Sequence, residues 1–231
     1  MKHSGQTLKG AALVRWAGLA RWLPAALGAG IAIALTGLGT LVLEPAGAAL
    51  PWLVASIGAS AVLVFVIPAS PLSQPWPVAG GHLIAAAIGL AMRDLVSPAW
   101  LAAGLAVGLA IAAMNLARCL HPPAGGTALI TALAPSAGWS FLAFPLGLNL
   151  LILLGCGLVW NRMTGHSYPH RAAPVPAPAA WAGHIEDGDL DAVLADWDEV
   201  LDVSRADLIA LLHATETQVL TRLRKGDLGK G

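Results

Sequence analysis

Charge is what this sequence has least of. Lys, Arg, Asp and Glu make up 11% of its 231 residues, against roughly 25% in a soluble globular domain. Hydrophobic residues make up 57%, and mean hydropathy is +0.71. That balance excludes a soluble globular fold and requires an integral membrane protein. Acids are scarcer still: Glu44 and Asp94 are the only two before residue 172, against eight Lys or Arg. The apolar segments therefore hold no paired carboxylates, and neither an HExxH metal spacing nor a phosphate-binding P-loop occurs. Ser60 and Ser140 stand isolated from any base along the chain. These absences argue against an enzyme and against ATP-driven transport by this chain alone. Cysteine is nearly missing. Cys119 and Cys156 lie in or beside apolar segments and give no disulfide framework and no zinc spacing. They read as small apolar fillers, so no metal and no cofactor is expected.

What is present is a series of apolar runs. Residues 1–23 interleave Leu13, Trp16, Ala20 and Leu23 with Lys9, Arg15 and Arg21, the pattern of an interfacial basic helix. The apolar core that follows is too long for a cleavable signal. Six apolar segments then run Pro24 to Leu43, Trp52 to Ile67, Val78 to Val96, Pro98 to Ala117, Ala124 to Ala134 and Phe141 to Trp160. The first is long enough for a hydrocarbon core of about 30 Å, and the fifth is too short to span comfortably. Small residues crowd them, as in Gly28-Ala-Gly30, Gly37-Leu-Gly39 and Gly104 to Gly108, which predicts close helix packing. The fold class is all-α: a polytopic transmembrane helix bundle, residues 24–162. The cations Lys2, Lys9, Arg15 and Arg21 place the N-terminus in the cytoplasm. Alternation then puts 68–77, 118–123, Arg162 and Arg171 on the same side, provided the short fifth segment crosses. Both termini are expected to be cytoplasmic, in a bacterial inner membrane.

The informative stretch is Arg118 to Thr131. Pro122 and Pro123 stop a helix, and Pro123 suits the start of another. Gly125 and Gly126 then fall in a first turn, where free amides point outward. A related break precedes it. Pro77-Val-Ala-Gly-Gly-His82 recurs 45 residues later as Pro122-Pro-Ala-Gly-Gly-Thr127. If the repeat is real, two parallel hairpins present two glycine-rich helix starts to one space, a setting that suits an anion. His121, Gly125, Gly126 and Thr127 are expected as one wall of a solute site. Ser70, Gln74, Gly80, Gly81 and His82 are expected as the facing wall, and Asn115, Arg118, Pro122 and Pro123 join the candidate substrate-binding residues. Each also has a plain local reading. The breaks can be turns, the threonines can bond freed carbonyls, and Arg118 can anchor at the interface. Arg93 and Asp94 read as an exposed loop pair.

Residues 120–130, Leu-His-Pro-Pro-Ala-Gly-Gly-Thr-Ala-Leu-Ile, resemble the signature of the HPP family of integral membrane proteins. Ser70 to His82 resembles the same family's other polar loop. Two departures stand out: Trp76-Pro77 replaces the family's usual Arg-Asn, and Gly126 replaces its usual Ala. The resemblance implies transport, because plastid and cyanobacterial relatives are nitrite transporters. A small-anion transporter or channel follows, with nitrite the first candidate. The alternative is a membrane sensor or assembly module without transport activity. The expected partners are a small-anion solute and membrane lipid. Homo-oligomerisation is left open, and nothing supports nucleic acid.

Residues 163–183 read as a Pro/Ala-rich linker, semi-rigid over 172–183. Residues 184–231 read as an acidic helical tail. Leu190, Val193, Leu194 and Trp197 give its first helix a face, and Ser204 with Asp207 starts its second. The tail resembles the segment that leads into paired CBS domains in longer members of the family. Those domains are absent from this sequence, whether it is naturally short or a piece of something longer.

Overall fold

The computed structural model describes residues 4–43, 53–135, 137–171, 186–196 and 202–224, with side chains in the first helix from Trp22 onward. The basic N-terminal side chains, the 172–183 linker and Trp197 lie outside the described residues. Among the described residues eight α-helices run in order: α1 Ser4–Leu43, α2 Ala55–Val66, α3 Pro75–Leu95, α4 Ala99–Leu116, α5 Ala124–Leu133, α6 Leu148–Met163, α7 Asp187–Asp196 and α8 Arg205–Arg224. No strand occurs among the described residues. The chain forms two compact units, Met1–His170 and Arg171–Gly231.

The first unit is a helix bundle whose outer faces are apolar. Leu27, Ile31 and Leu38 on α1, and Leu105, Leu109 and Ile111 on α4, are exposed. Among the described residues four helical segments are long and apolar enough to cross a membrane: Trp22–Leu43, Pro75–Leu95, Ala99–Leu116 and Trp139–Met163. This is a multi-pass membrane protein. No helical break separates an interfacial segment from the first span, because α1 continues through Pro24. The last span is prefaced by a 3-10 turn, Trp139–Leu142, and a π turn, Ala143–Gly147, which kinks at Phe144.

Among the described residues of the bundle, two helices are short. α5, at 10 residues, is the short segment expected. α2 has only 12, about 18 Å of helix, and so falls well below a full ~30 Å crossing. Leu53, Val54 and Ile67 continue the apolar run in the sequence but lie outside the helix. The packing sorts each short helix into a different group: α2 lies with α1 and α6, and α5 lies with α3 and α4. Two apolar cores follow that division. One gathers Ile57, Val64, Phe65, Leu146 and Leu153, and the other gathers Ala106, Ala110, Met114, Ala128 and Ala132. α3 contributes to both cores, with Val78 and Leu90 on one side and Ala85 on the other.

A helix that begins inside a bilayer leaves backbone amides that water cannot satisfy. Asn149, in the interior of the Trp139–Met163 segment, meets that need. Its Oδ1 accepts from Val54 N, just before α2, at 3.0 Å, and its Nδ2 donates to Thr40 Oγ1 at 2.9 Å. At the end of α5 the Arg93 guanidinium donates to the carbonyls of Ala134 and Ala137 as well as to Asp94. Arg93 and Asp94 do pair, but in the last turn of α3 rather than in an exposed loop, and the half-buried Arg93 is a helix-end cap as well.

Close packing uses fewer of the glycines than their clustering suggests. A Cβ on Gly28 would lie 2.5 Å from Trp160 Nε1, and one on Gly39 would lie 2.6 Å from Ile152 Cδ1. Gly30, Gly37, Gly104 and Gly108 face open space instead. α4 packs through Ala102, Ala103, Ala106, Ala110 and Met114, a stripe on the other side of the helix.

In the second unit, Asp207 N donates to Ser204 Oγ at 3.1 Å, the expected serine cap on α8. Arg205 pairs with Asp191 of α7 through Nε–Oδ1 and Nη2–Oδ2 contacts, both 2.7 Å. The Arg205 hydrogen bond holds the Asp191 carboxyl below its ordinary range. The pair is solvent-exposed and contributes little to stability.

Candidate functional site

The site begins where α4 stops. Cys119 N bonds Met114 O at 2.8 Å and Arg118 N bonds Asn115 O at 3.1 Å, with Arg118 left-handed at φ 52°. Those two bonds are the usual closure of a helix by a left-handed residue just past its end. The reversal carries Cys119 and His121 inward, both 0% exposed. Arg118 is left on the outside. An added Cβ at Gly81 would lie 2.8 Å from His121 Cβ and 3.0 Å from Cys119 O. α3 can therefore approach this loop only where it has no side chain.

His121 lands in a buried polar chain drawn from both helical groups. His121 Nδ1 lies 2.8 Å from Leu72 O, and His121 Nε2 lies 2.8 Å from Ser60 Oγ. Ser60 Oγ lies 2.8 Å from His82 Nε2, His82 Nδ1 2.6 Å from Thr127 Oγ1, and Thr127 Oγ1 2.6 Å from Ser56 Oγ. Ser60, His82, His121 and Thr127 are all 0% exposed. The two imidazole centroids are 5.1 Å apart. Ser56 and Ser60 come from α2, His82 from α3 and Thr127 from α5, so the chain sits where the two short helices meet.

The repeat has a structural meaning here. His82 and Thr127 hold the same place in the two Pro-x-Ala-Gly-Gly stretches, and they bond to each other. Further along, Gly89 packs on Ala128 and Thr131. Contacts that advance together along α3 and α5 mean the two helices run parallel.

Ser60 and Ser56 are the members of the chain that sequence reasoning missed, and Ser60 is the central one. It is not isolated: two bases that stand 22 and 61 residues away contact its hydroxyl. A Ser–His contact at this distance is the geometry of an activated nucleophile. Here the hydroxyl is enclosed between two rings and has no exposed surface. Only the helical spacing of Ser56 and Ser60 in an apolar run hinted at a polar face.

The other expected residues divide. Gly80 lies under the Trp76 ring, where a Cβ would meet ring carbons at 3.2 Å, and Trp76 Nε1 donates to Ala117 O at 3.2 Å. Trp76 thus ties α3 to the end of α4. Ser70 accepts from Leu72 N at 3.1 Å and shapes the 68–74 loop. Gln74 Nε2 donates to Pro68 O and Ser70 O at 2.9 and 2.7 Å, while its Oε1 accepts from His170 N at 2.8 Å. Tyr168 Oη donates to Ser73 O at 2.8 Å, and burial pushes this phenol's pKa up. The segment after α6 therefore emerges on the same face as the 68–74 and 118–123 loops, as charge alternation implied. Asn115 is exposed and bonds Ile111 O of its own helix.

The first-turn amides of α5 are not free. Ala124 N, Gly125 N and Gly126 N bond the carbonyls of His121, Pro122 and Pro123 at 2.9, 3.0 and 3.0 Å. Bonds three residues back tighten that turn, so its amides point along the chain rather than at a ligand. A Cβ on Gly125 meets nothing within 4 Å, and one on Gly126 would sit 3.4 Å from Ser56 Cβ, an ordinary contact.

Residues 14–169 match the family described as HPP, transmembrane region. The chain belongs to the HPP family. Every residue of the buried chain lies inside the matched HPP region, and His121, Pro122 and Pro123 are its name triplet. The ordinary contact at Gly126 leaves room for the alanine usual in HPP sequences. Two transmembrane proteins of Dictyostelium discoideum are similar to the HPP chain described here. One is 36% identical over 146 residues, 58% of this chain and 51% of the relative. The other is 35% identical over 117 residues, 48% of this chain and 38% of the relative. The matched part thus spans about half the length of the first relative and less of the second. No solved structure matches this HPP protein.

Proposed function

We propose that this HPP protein transports a small anion, with nitrite the first to test. One observation carries the reading: the buried Ser–His–Thr chain where two short helices from different helical groups meet inside a membrane bundle. Ionisable groups inside a bilayer are costly and mark solute pathways. Short helices that meet within the membrane are the setting in which transporters hold their substrates. Sign favours an anion. Among the described residues no carboxylate bonds to either imidazole, so a proton added there lacks a counter-ion within the protein. With the α5 amides occupied, the imidazoles and hydroxyls are the better candidates for contact with the anion. The departure at Trp76 replaces a loop cation with a packing residue, and this moves weight onto the histidines. We read the chain as a transporter rather than an enzyme because Ser60 is enclosed.

Purified protein in proteoliposomes is expected to raise uptake of nitrite above protein-free vesicles, and above uptake of nitrate, formate, bicarbonate or chloride. Vesicles that admit none of the five, while the protein binds one of them tightly, would favour the sensor or assembly module. For orientation we infer a bacterial inner membrane with both termini cytoplasmic, from Lys2, Lys9, Arg15 and Arg21 at one end and Arg162 and Arg171 at the other. A reporter fused after Arg171 is expected to be active only in its cytoplasmic form. Periplasmic activity would mean an odd number of crossings.

A further inference from the structure

We propose that the Ser56–Thr127–His82–Ser60–His121 chain is a binding site for a single excess proton, shared by the two imidazoles through Ser60, and that this proton moves with the transported anion. The second half of this proposal rests on the transport reading above; the first half does not.

The hydrogens can be placed link by link. Leu72 O can only accept, so His121 Nδ1 carries a hydrogen. With that ring neutral, His121 Nε2 accepts, and Ser60 must donate to it. Ser60 Oγ is then the acceptor for His82 Nε2–H. His82 Nδ1 in turn accepts from Thr127, and Thr127 accepts from Ser56. Each of these five links holds one hydrogen, and no other arrangement of two neutral rings fills all five; the Ser60 hydrogen goes to His121 Nε2 at 2.8 Å in preference to the longer 3.2 Å contact with Ser56 O. The rings are therefore opposite tautomers: His82 carries its hydrogen on Nε2 and His121 on Nδ1.

The same contacts accept one more proton. Protonation of His82 at Nδ1 reverses its link to Thr127; Thr127 then donates to Ser56, whose own hydroxyl hydrogen rotates out of the chain. Transfer onward needs no ring to move. The His82 Nε2–H bond breaks as a new Ser60 Oγ–H bond forms, and the original Ser60 O–H bond breaks as His121 Nε2–H forms. His82 ends neutral, His121 ends as the cation, and Ser60 is unchanged in proton count. A second proton would set like charges about 5 Å apart in a buried seam, where the low dielectric makes repulsion strong.

The surroundings are otherwise neutral. α2 presents Ser56 and Ser60, α5 presents Thr127, and the 68–74 loop presents the Leu72 carbonyl. Met114 of α4 and Cys119 of the loop pack against Gly81. The titratable groups among these are His82, His121 and Cys119. Arg118 is exposed, and Arg93 is tied up at the far end of α3. The charge gained on protonation is thus uncompensated until an anion arrives, and one proton with one nitrite moves no net charge.

The experiment has two arms. In bilayers with 15N-histidine, solid-state NMR at neutral pH should show His82 protonated on Nε2 and His121 on Nδ1, assigned by difference with His82→Asn and His121→Asn. Acidification should produce one imidazolium per protein at this pair. Matching tautomers, or two imidazolium rings formed together, overturn the proton site. In proteoliposomes, an inward proton gradient should raise protein-dependent initial nitrite uptake severalfold, with a vesicle-trapped pH dye recording proton entry. An imposed membrane potential should leave uptake unchanged. Ser60→Ala should abolish the gradient effect, and Ser60→Thr, which keeps the hydroxyl, should restore it. Nitrite uptake that ignores the gradient in the parent overturns the co-ion role while the transport reading stands. No uptake of any anion, with the opposite tautomers intact, overturns the transport reading and the co-ion role but not the proton site.

Discussion

Gly89→Ala is expected to remove the folded bundle from a detergent extract, whereas Gly104→Ala is expected to leave it intact. A Cβ at Gly89 would stand 2.0 Å from Thr131 Oγ1 and 2.5 Å from Ala128 O. The first obstacle is a side chain and can rotate. The second is backbone of α5 and can give way only if α3 and α5 separate. Overpacking a core costs typically about 1–3 kcal/mol, and a clash with helix backbone falls at or above the top of that range. At Gly104 nothing lies within 4 Å, and alanine improves helix propensity there by about 1 kcal/mol in a soluble reference helix. Size-exclusion profiles and thermal melting of the two variants give the comparison. Adding Thr131→Ala to Gly89→Ala should recover little, because the Ala128 carbonyl remains. A monodisperse Gly89→Ala protein that melts with the parent would mean that the close α3–α5 contact does not hold the bundle together.

The second large effect is expected at His121. Truncation to alanine of His121, itself 0% exposed, leaves the Leu72 carbonyl without its imidazole donor and turns the Ser60 hydrogen back to the longer 3.2 Å contact with Ser56 O. Each unsatisfied buried group costs about 1–3 kcal/mol, and the lost ring adds a cavity cost. His121→Ala should therefore lose both folded stability and flux. His121→Asn separates the two. The Asn amide nitrogen occupies the place of His Nδ1, so it can still donate to Leu72 O, but nothing reaches Ser60. It should fold in near-parental yield and show strongly reduced anion uptake. Parental uptake in a folded His121→Asn protein would make the triplet a structural turn and place the pathway elsewhere.

The reach of the sequence can be judged residue by residue. Apolar runs and prolines were enough to place six helical segments in the bundle, because a bilayer forces the backbone to bond within each segment. The Pro-x-Ala-Gly-Gly repeat was readable, and so was the shared face of the 68–74 and 118–123 loops. Glycine packing was not. Gly39 and Gly37 share a motif, yet only Gly39 meets a neighbour, since the side a helix turns inward is set by its neighbours. Gly125 and Gly126 seemed to offer amides, but closure of the turn onto His121, Pro122 and Pro123 used them.

By itself, then, the sequence determined a membrane-embedded all-α protein with breaks before His82 and Thr127, because hydrophobicity, proline and glycine act locally along the chain. Tertiary structure alone decided that Ser60 lies between His82 and His121, and that Asn149 satisfies the start of a helix too short to span. Those partners are 22, 61 and 95 residues apart in the chain. A hydrogen bond depends on a few ångströms of space, and only packing of the two helical groups supplies it.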